Sequence, residues 1–293
     1  MSWKVSATAH RELVERVLGA HEDDTIVLSG REVDEANGEW VLEAWLEDEP
    51  TPAQLCALEA LFPAPVPGFV VEQLEEQDWV TLSQAGMEPI RAGRFHVRTP
   101  DHAASSEPGT IDFVIPASQA FGTGQHATTA GCLAMLDAIG SLGASFRNIV
   151  DVGTGTGLLA FAAQRLWPEA RVAAADIDPV CEMVVCDNAA VNGVPLGIKT
   201  GEVAVVTAPG LDHPALVQRA PYDLLIANIL AGPLIELAPS FVPHVTAGGS
   251  IVLAGLLATQ EDAVVDAYRQ LGCNLVQRNV AGDWSILWLR IAA

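Results

Sequence analysis

The chain has 293 residues, half of them hydrophobic, and a formal charge of −22 from 37 acidic against 15 basic side chains. That length supports one or two domains with sizeable cores, and no apolar run reaches the ~18 uncharged residues of a membrane span. So acidic a surface repels bare nucleic acid and favours basic proteins, so no direct nucleic-acid contact is expected; with no span, a soluble, cytoplasmic protein without membrane contact is expected, as a monomer.

Met1-Ser-Trp-Lys is not followed by a signal-peptide core, in keeping with that expectation. Five cysteines, Cys56, Cys132, Cys181, Cys186 and Cys273, are scattered, odd in number and lack a C-x-x-C pair. They argue against a disulfide framework and against a zinc site, and are expected to be buried thiols.

Residues 1–76 read as a small α+β unit. Strands are expected over 2–7, 25–33 and 40–46, with a helix over 9–18 carried by Leu13, Val14, Val17 and Leu18. Asn37-Gly38 marks a hairpin between the second and third strands. Thr51-Pro52 starts a helix over 53–61, and a strand over 68–72 closes the unit, so the order β-α-β-β-α-β is that of a ferredoxin-like domain. Residues 1–100 hold 19 acids against 7 bases, which makes this end the natural place to hold a basic protein.

Residues 75–109 are irregular in pattern, apart from Asp78-Trp79 and Arg94 to Arg98 as pieces of a bridging strand, and the linker is placed at 77–95. From Thr110 onward strands and helices alternate. Strands are expected at 111–115, 149–152, 172–175, 224–227, 250–254 and 285–290, with helices at 128–139, 158–166, 179–192, 234–241 and 260–271. Residues 96–293 therefore read as a doubly wound α/β domain that binds ligands at the carboxyl ends of its strands.

Three stretches fall at such ends or at a helix start. Asp151-Val-Gly153-Thr154-Gly155-Thr-Gly157 lies between a strand and a helix, where glycines permit positive φ and the helix start leaves N–H groups free for a polar ligand. The next strand ends at Asp176, an acid able to accept both hydroxyls of a ribose. Loop and acid together indicate a nucleoside site, and the spacing Gly153-x-Gly155-x-Gly157 departs from the G-x-G-x-x-G of dinucleotide folds. Phe121-Gly-Thr-Gly-Gln-His126-Ala-Thr128-Thr129 precedes a helix, with Thr128 or Thr129 as its N-cap. Tyr222-Asp-Leu-Leu-Ile-Ala-Asn228-Ile229-Leu230 ends a buried strand on an asparagine.

The loop and acid resemble the first two motifs of class I S-adenosylmethionine-dependent methyltransferases. Taken with Gly122 to Thr129, Asp176-Ile177-Asp178-Pro179, Asn228 to Ala231 and a Gly282-Asp-Trp284 turn before the last strand, the chain resembles the PrmA family. These are the methyltransferases of ribosomal large-subunit protein L-eleven, and the likeness runs nearly the whole length. Where that family commonly has Pro after the His of its first loop, this chain has Ala127.

The resemblance implies S-adenosylmethionine as cofactor and methyl transfer to lysine and N-terminal amines of a basic ribosomal protein, with the N-terminal domain recognising it. It places Gly153, Thr154, Gly155 and Gly157 at the methionine end of the cofactor. Asp151 orders the loop within reach of the methionine amino group, Asp176 holds the ribose, and Ile177 packs on the adenine. Phe121, Thr128 and Thr129 belong to a loop that folds over the methionine end. Asn228 orients the incoming amine, while Ile229, with Leu230, stands where related amino-methylating enzymes have two prolines and shapes the acceptor pocket. Other readings are methylation of another protein, such as the electron-transfer flavoprotein β-subunit, a nicotinamide oxidoreductase, and an assembly factor that binds the cofactor without turnover.

Overall fold

The computed structural model describes residues 2–20, 27–34, 39–46, 48–63, 66–74, 89–116 and 126–292. The chain divides into two compact units, Met1–Leu82 and Ser83–Ala293.

In the first unit, β1 (Ser2–His10) is followed by α1 (Arg11–Ala20), β2 (Val27–Asp34), β3 (Glu39–Leu46), α2 (Pro52–Ala60) and β4 (Phe69–Leu74). The strands form one antiparallel sheet in the order β2-β3-β1-β4, the ferredoxin-like arrangement. A capping box at Thr51 and Gln54 starts α2, satisfying two N–H groups that the first turn would leave open. Val5, Ala44, Leu46 and Leu58 form one small core, and Val14, Val17, Leu42 and Phe62 another. The Asn37-Gly38 turn lies outside the described residues.

The second unit opens with a hairpin, β5 (Ile90–Ala92) and β6 (Phe95–Arg98), and β7 (Ile111–Val114) runs parallel to β6. β6 coincides with the strand piece expected at Arg94 to Arg98, whereas β5, three residues long, carries too little periodicity to be seen. Asp78-Trp79 lies outside the described residues. Phe95 and Phe113 stack and pass their contact on to Phe161, so this small sheet shares the main core. The carboxylate of Asp112 takes His96 Nδ1 at 2.6 Å and Arg98 Nε at 3.0 Å, tying β6 to β7.

The remaining elements alternate: α3 (His126–Ser141), β8 (Asn148–Val152), α4 (Leu158–Leu166), β9 (Arg171–Asp176), α5 (Val180–Asn192), β10 (Val203–Thr207), α6 (Pro214–Val217), β11 (Tyr222–Asn228), α7 (Ala231–Phe241), β12 (Val245–Leu257), α8 (Glu261–Gln270), β13 (Cys273–Ala281) and β14 (Trp284–Ile291). Seven strands form a sheet ordered β10-β9-β8-β11-β12-β14-β13, parallel except for β14, which runs antiparallel to both β12 and β13. The order reverses between β8 and β11, the point at which a doubly wound sheet opens a crevice.

Burial on both faces explains the apolar strands. Every residue of β8 is buried. Alternation sends Ile149, Val172, Ala174, Leu224 and Ile226 to a core shared with Leu133, Leu136 and Phe161. Val150, Ala173, Leu225 and Ala227 face the opposite core, with Leu234, Phe241, Val264 and Tyr268.

Besides β5, two strands and one short helix escape the sequence reading. β10 is five residues long, and β13 carries exposed polar residues because it is the sheet's edge, where its pairing with β14 supplies the order its own pattern lacks. α3 starts at His126, so Thr128 and Thr129 lie inside its first turn and neither is the N-cap. The cysteines are also corrected: only Cys132 and Cys273 are buried, Cys181 is half-buried, and Cys56 and Cys186 are exposed.

Candidate active site

A cavity of about 650 Å³ opens at the carboxyl ends of β8, β9, β10 and β11. Of the residues singled out in the sequence, it brings together Thr128, Gly153, Gly155, Asp176, Ile177, Asn228 and Ile229 in its lining. Phe121 lies outside the described residues, as does the loop from 121 to 125.

The glycine loop is held from three sides. Gly153 and Thr154 donate their N–H groups to Ala175 O at 2.8 and 3.0 Å. Asp151 is fully buried behind the loop, where its Oδ2 accepts the Thr154 hydroxyl at 2.6 Å and the Ala160 N–H at 3.1 Å. Asn188 of α5 donates Nδ2–H to Thr156 O at 2.9 Å, a brace that sequence spacing does not reveal. Gly153, Gly155 and Gly157 all have positive φ, a conformation costly for a residue with a Cβ. Thr154 is itself buried, so the loop offers backbone to the cavity.

Asp151 is not among the residues lining the cavity, and its Oδ1 has no partner among the described residues. Burial pushes its carboxyl up to about 7, against the pull of the Thr154 and Ala160 hydrogen bonds, and the nearby Asp176 adds to the rise.

Asp176 closes the loop on the other side. Its Oδ2 accepts Gly155 N–H at 2.8 Å and its Oδ1 accepts Asp178 N–H at 3.1 Å. A carboxylate has about four lone-pair sites, so both oxygens keep capacity for further donors. Ile177 is 71% exposed on the cavity wall, a flat apolar surface awaiting a partner.

On the opposite wall, Asn228 is the last residue of β11 and its Nδ2 stands 3.5 Å from Thr129 Oγ1, while its Oδ1 has no hydrogen-bond partner among the described residues. Ile229 is wedged between two glycines. A Cβ on Gly153 would stand 2.2 Å from Ile229 Cγ2, and one on Gly255 would stand 2.4 Å from Ile229 O. Gly255, with φ +85, passes unnoticed in the sequence, because nothing local says that a strand interior needs a bare backbone there. The lining also includes Ala208, Pro209 and Gly210 after β10, Pro233, Glu236 and Leu237 of α7, and Trp284. None of these was singled out as a cavity residue by the sequence, since no local pattern says which side of a helix or loop turns to the cavity.

The model for ribosomal protein L11 methyltransferase (PrmA) matches residues 13–291. The chain belongs to the PrmA family.

A Brucella suis relative, ribosomal protein L11 methyltransferase, is 43% identical over 256 residues, covering 86% of this chain and 85% of that protein. An Agrobacterium fabrum protein of the same name is 37% identical over 270 residues, covering 92% and 90%. The crystal structure of a ribosomal protein L11 methylase from Lactobacillus delbrueckii subsp. bulgaricus matches in fold, with a TM-score of 0.59 at 23% identity over 71% of this chain and 99% of that one. This PrmA-family chain is thus a protein methyltransferase dependent on S-adenosylmethionine, with a class I, Rossmann-like domain preceded by a small ferredoxin-like sheet domain. Its cavity fits that cofactor: a glycine backbone free of Cβ atoms, a carboxylate with spare acceptors and an exposed isoleucine converge on one space. Among the described residues no helix is long and apolar enough to cross a membrane.

Proposed function

We propose that this enzyme methylates ribosomal protein L11, on lysine side chains and the N-terminal amine. The observation that carries the reading is Asn228 in the cavity lining, whose amide nitrogen is turned towards Thr129 while its carbonyl oxygen has no partner among the described residues. An acceptor placed there suits an N–H donor, and the names carried by the relatives point to L11 as the donor's owner.

S-adenosylmethionine supplies an already activated methyl group, so this chain needs no strong nucleophile. Its residues bind, align and exclude water. Gly153, Gly155 and Gly157 would let the backbone meet the methionine end, with Thr154 and Asp151 holding the loop in shape. Asp176 would accept the ribose hydroxyls, and Ile177 would cover the adenine. Thr128 and Thr129 would bound the methionine end from α3, and Phe121 is assigned to the same loop. Asn228 Oδ1 would take an N–H of the uncharged amine, fixing the direction of its lone pair. Ile229, clamped by Gly153 and Gly255, would set the width of the acceptor pocket.

Lysine, with an ordinary pKa near ~10.4, arrives charged at neutral pH. An acidic protein favours such a partner, and residues 1–100 are its more acidic part. We assign substrate recognition to residues 1–76 and catalysis to 96–293, in a cytoplasmic monomer; of the expected linker 77–95, residues 90–95 belong to the small sheet of the second unit.

The test is incubation of the enzyme with labelled cofactor and either purified L11 or a whole-cell extract, followed by mass mapping of the product. The expected result is label on L11 at lysine and N-terminal nitrogens. A dominant labelled band of another mass would overturn the substrate.

A further inference from the structure

Among the described residues, two carboxylates line the cavity and no lysine or arginine does. They differ in what already occupies them. Asp176 accepts N–H groups from Gly155 and Asp178. Glu236 accepts none among the described residues: it has no hydrogen bond and no ion pair there.

Glu236 is on α7, the helix that starts directly after Asn228-Ile229-Leu230. Positions 233, 236 and 237 share one face of that helix, and all three line the cavity. The helix is firmly seated. Tyr268 donates its hydroxyl to Leu234 O at 3.0 Å, and a Cβ on Gly210 would stand 3.0 Å from Leu237 Cδ2. A carboxylate on such a platform, between Pro233 and Leu237, keeps its full acceptor capacity beside an apolar wall. A cation satisfies it better than any neutral donor.

We propose that Glu236 is a specificity-determining residue that pairs with the ammonium of the incoming substrate amine. It thereby selects cationic amines over neutral acceptors such as hydroxyls. Asn228, being uncharged, suits the amine once its proton has gone; Glu236 suits the form in which that amine arrives. The inference rests on the reading of the enzyme as an amine methyltransferase acting on L11.

The test uses the full-length enzyme with Glu236→Gln and Glu236→Asp, purified L11 as acceptor, and calorimetry with S-adenosylhomocysteine. Removing the charge in Glu236→Gln is expected to raise KM for L11 roughly tenfold while kcat changes by less than about twofold. Its KM should also depend less on salt than that of the wild type. Glu236→Asp should recover part of the loss, and affinity for S-adenosylhomocysteine should be the same in all three proteins. A wild-type KM in Glu236→Gln overturns the proposal, and so does weakened S-adenosylhomocysteine binding, which would assign the carboxylate to the cofactor's own cation. A wild-type enzyme that leaves L11 unlabelled overturns the functional reading, and the Glu236 proposal with it.

Discussion

Asp176 Oδ2 accepts the Gly155 N–H at 2.8 Å, so the acid at the end of β9 shapes the glycine loop as well as facing the cavity. Asp176→Asn keeps an acceptor but removes the charge and puts an N–H group where one acceptor stood. Charge-assisted hydrogen bonds contribute about 1.5–3 kcal/mol each, so S-adenosylhomocysteine affinity should fall by roughly 10- to 100-fold. Calorimetry reads this directly. An unchanged affinity would remove Asp176 from the cofactor site.

Gly153 has φ +72, and a Cβ there would meet Ile229 Cγ2 at 2.2 Å. Gly153→Ala is therefore strained twice, and should lower stability by about 1–3 kcal/mol while weakening S-adenosylhomocysteine binding. Ile229→Ala added to it should recover only part of the stability, because it relieves the clash and leaves the backbone strain. Urea unfolding of the two variants checks this. Full recovery would mean that the conformation costs nothing.

The buried Asp151 carboxyl, raised to about 7, predicts a pH dependence of stability. Between the unfolded value near ~3.9 and about 7 the folded state holds the extra proton, so this group's stabilisation is complete below the lower value and is lost as pH rises towards the upper one. Its slope is at most about 1.4 kcal/mol per pH unit. Asp151→Asn cannot titrate and should flatten that part of the profile. Denaturant midpoints at pH 5, 6 and 7 for both proteins decide it; parallel profiles would show that Asp151 keeps an ordinary carboxyl pKa.

Asn228→Ala removes the open acceptor at the end of β11. If that oxygen aligns the amine, kcat should drop by roughly 100-fold or more, with S-adenosylhomocysteine affinity within about threefold of wild type. Single-turnover rates and calorimetry separate the two effects. A large loss of cofactor binding with unaltered chemistry would make Asn228 a cofactor ligand only.

By the resemblance drawn from the sequence, Ile229 and Leu230 stand where other amino-methylating enzymes have two prolines. Ile229→Pro should change how many methyl groups the product carries, since the altered wall limits how the amine turns between rounds. Intact-mass spectra of the product give the count. An unchanged pattern would show that pocket width lies elsewhere.

Much of the fold was legible from local pattern. Short runs such as 149–152 marked strands that are buried on both faces, the 3.6-residue spacing of Leu13, Val14, Val17 and Leu18 marked α1, and the β-α-β-β-α-β order gave the small sheet its type. Elements without a local signature were missed. β10 is too short for its period to show, and β13 is a polar edge whose order comes from β14. The N-cap was misplaced because nothing near Thr128 says whether the helix begins two residues earlier.

The site divides in the same way. Chemistry written into adjacent residues was visible: three glycines between strand and helix, an acid one strand later, and an asparagine at a strand's end. Those features carried the cofactor and placed Gly153, Asp176 and Asn228 at one end of the sheet. Only the tertiary structure decided that Asp151 turns away into the core, that Ile229 is clamped between Gly153 and Gly255, and that Glu236 stands in the same wall with no partner among the described residues. Each of these depends on where crossing connections lay distant strands side by side, and short-range periodicity carries no record of that.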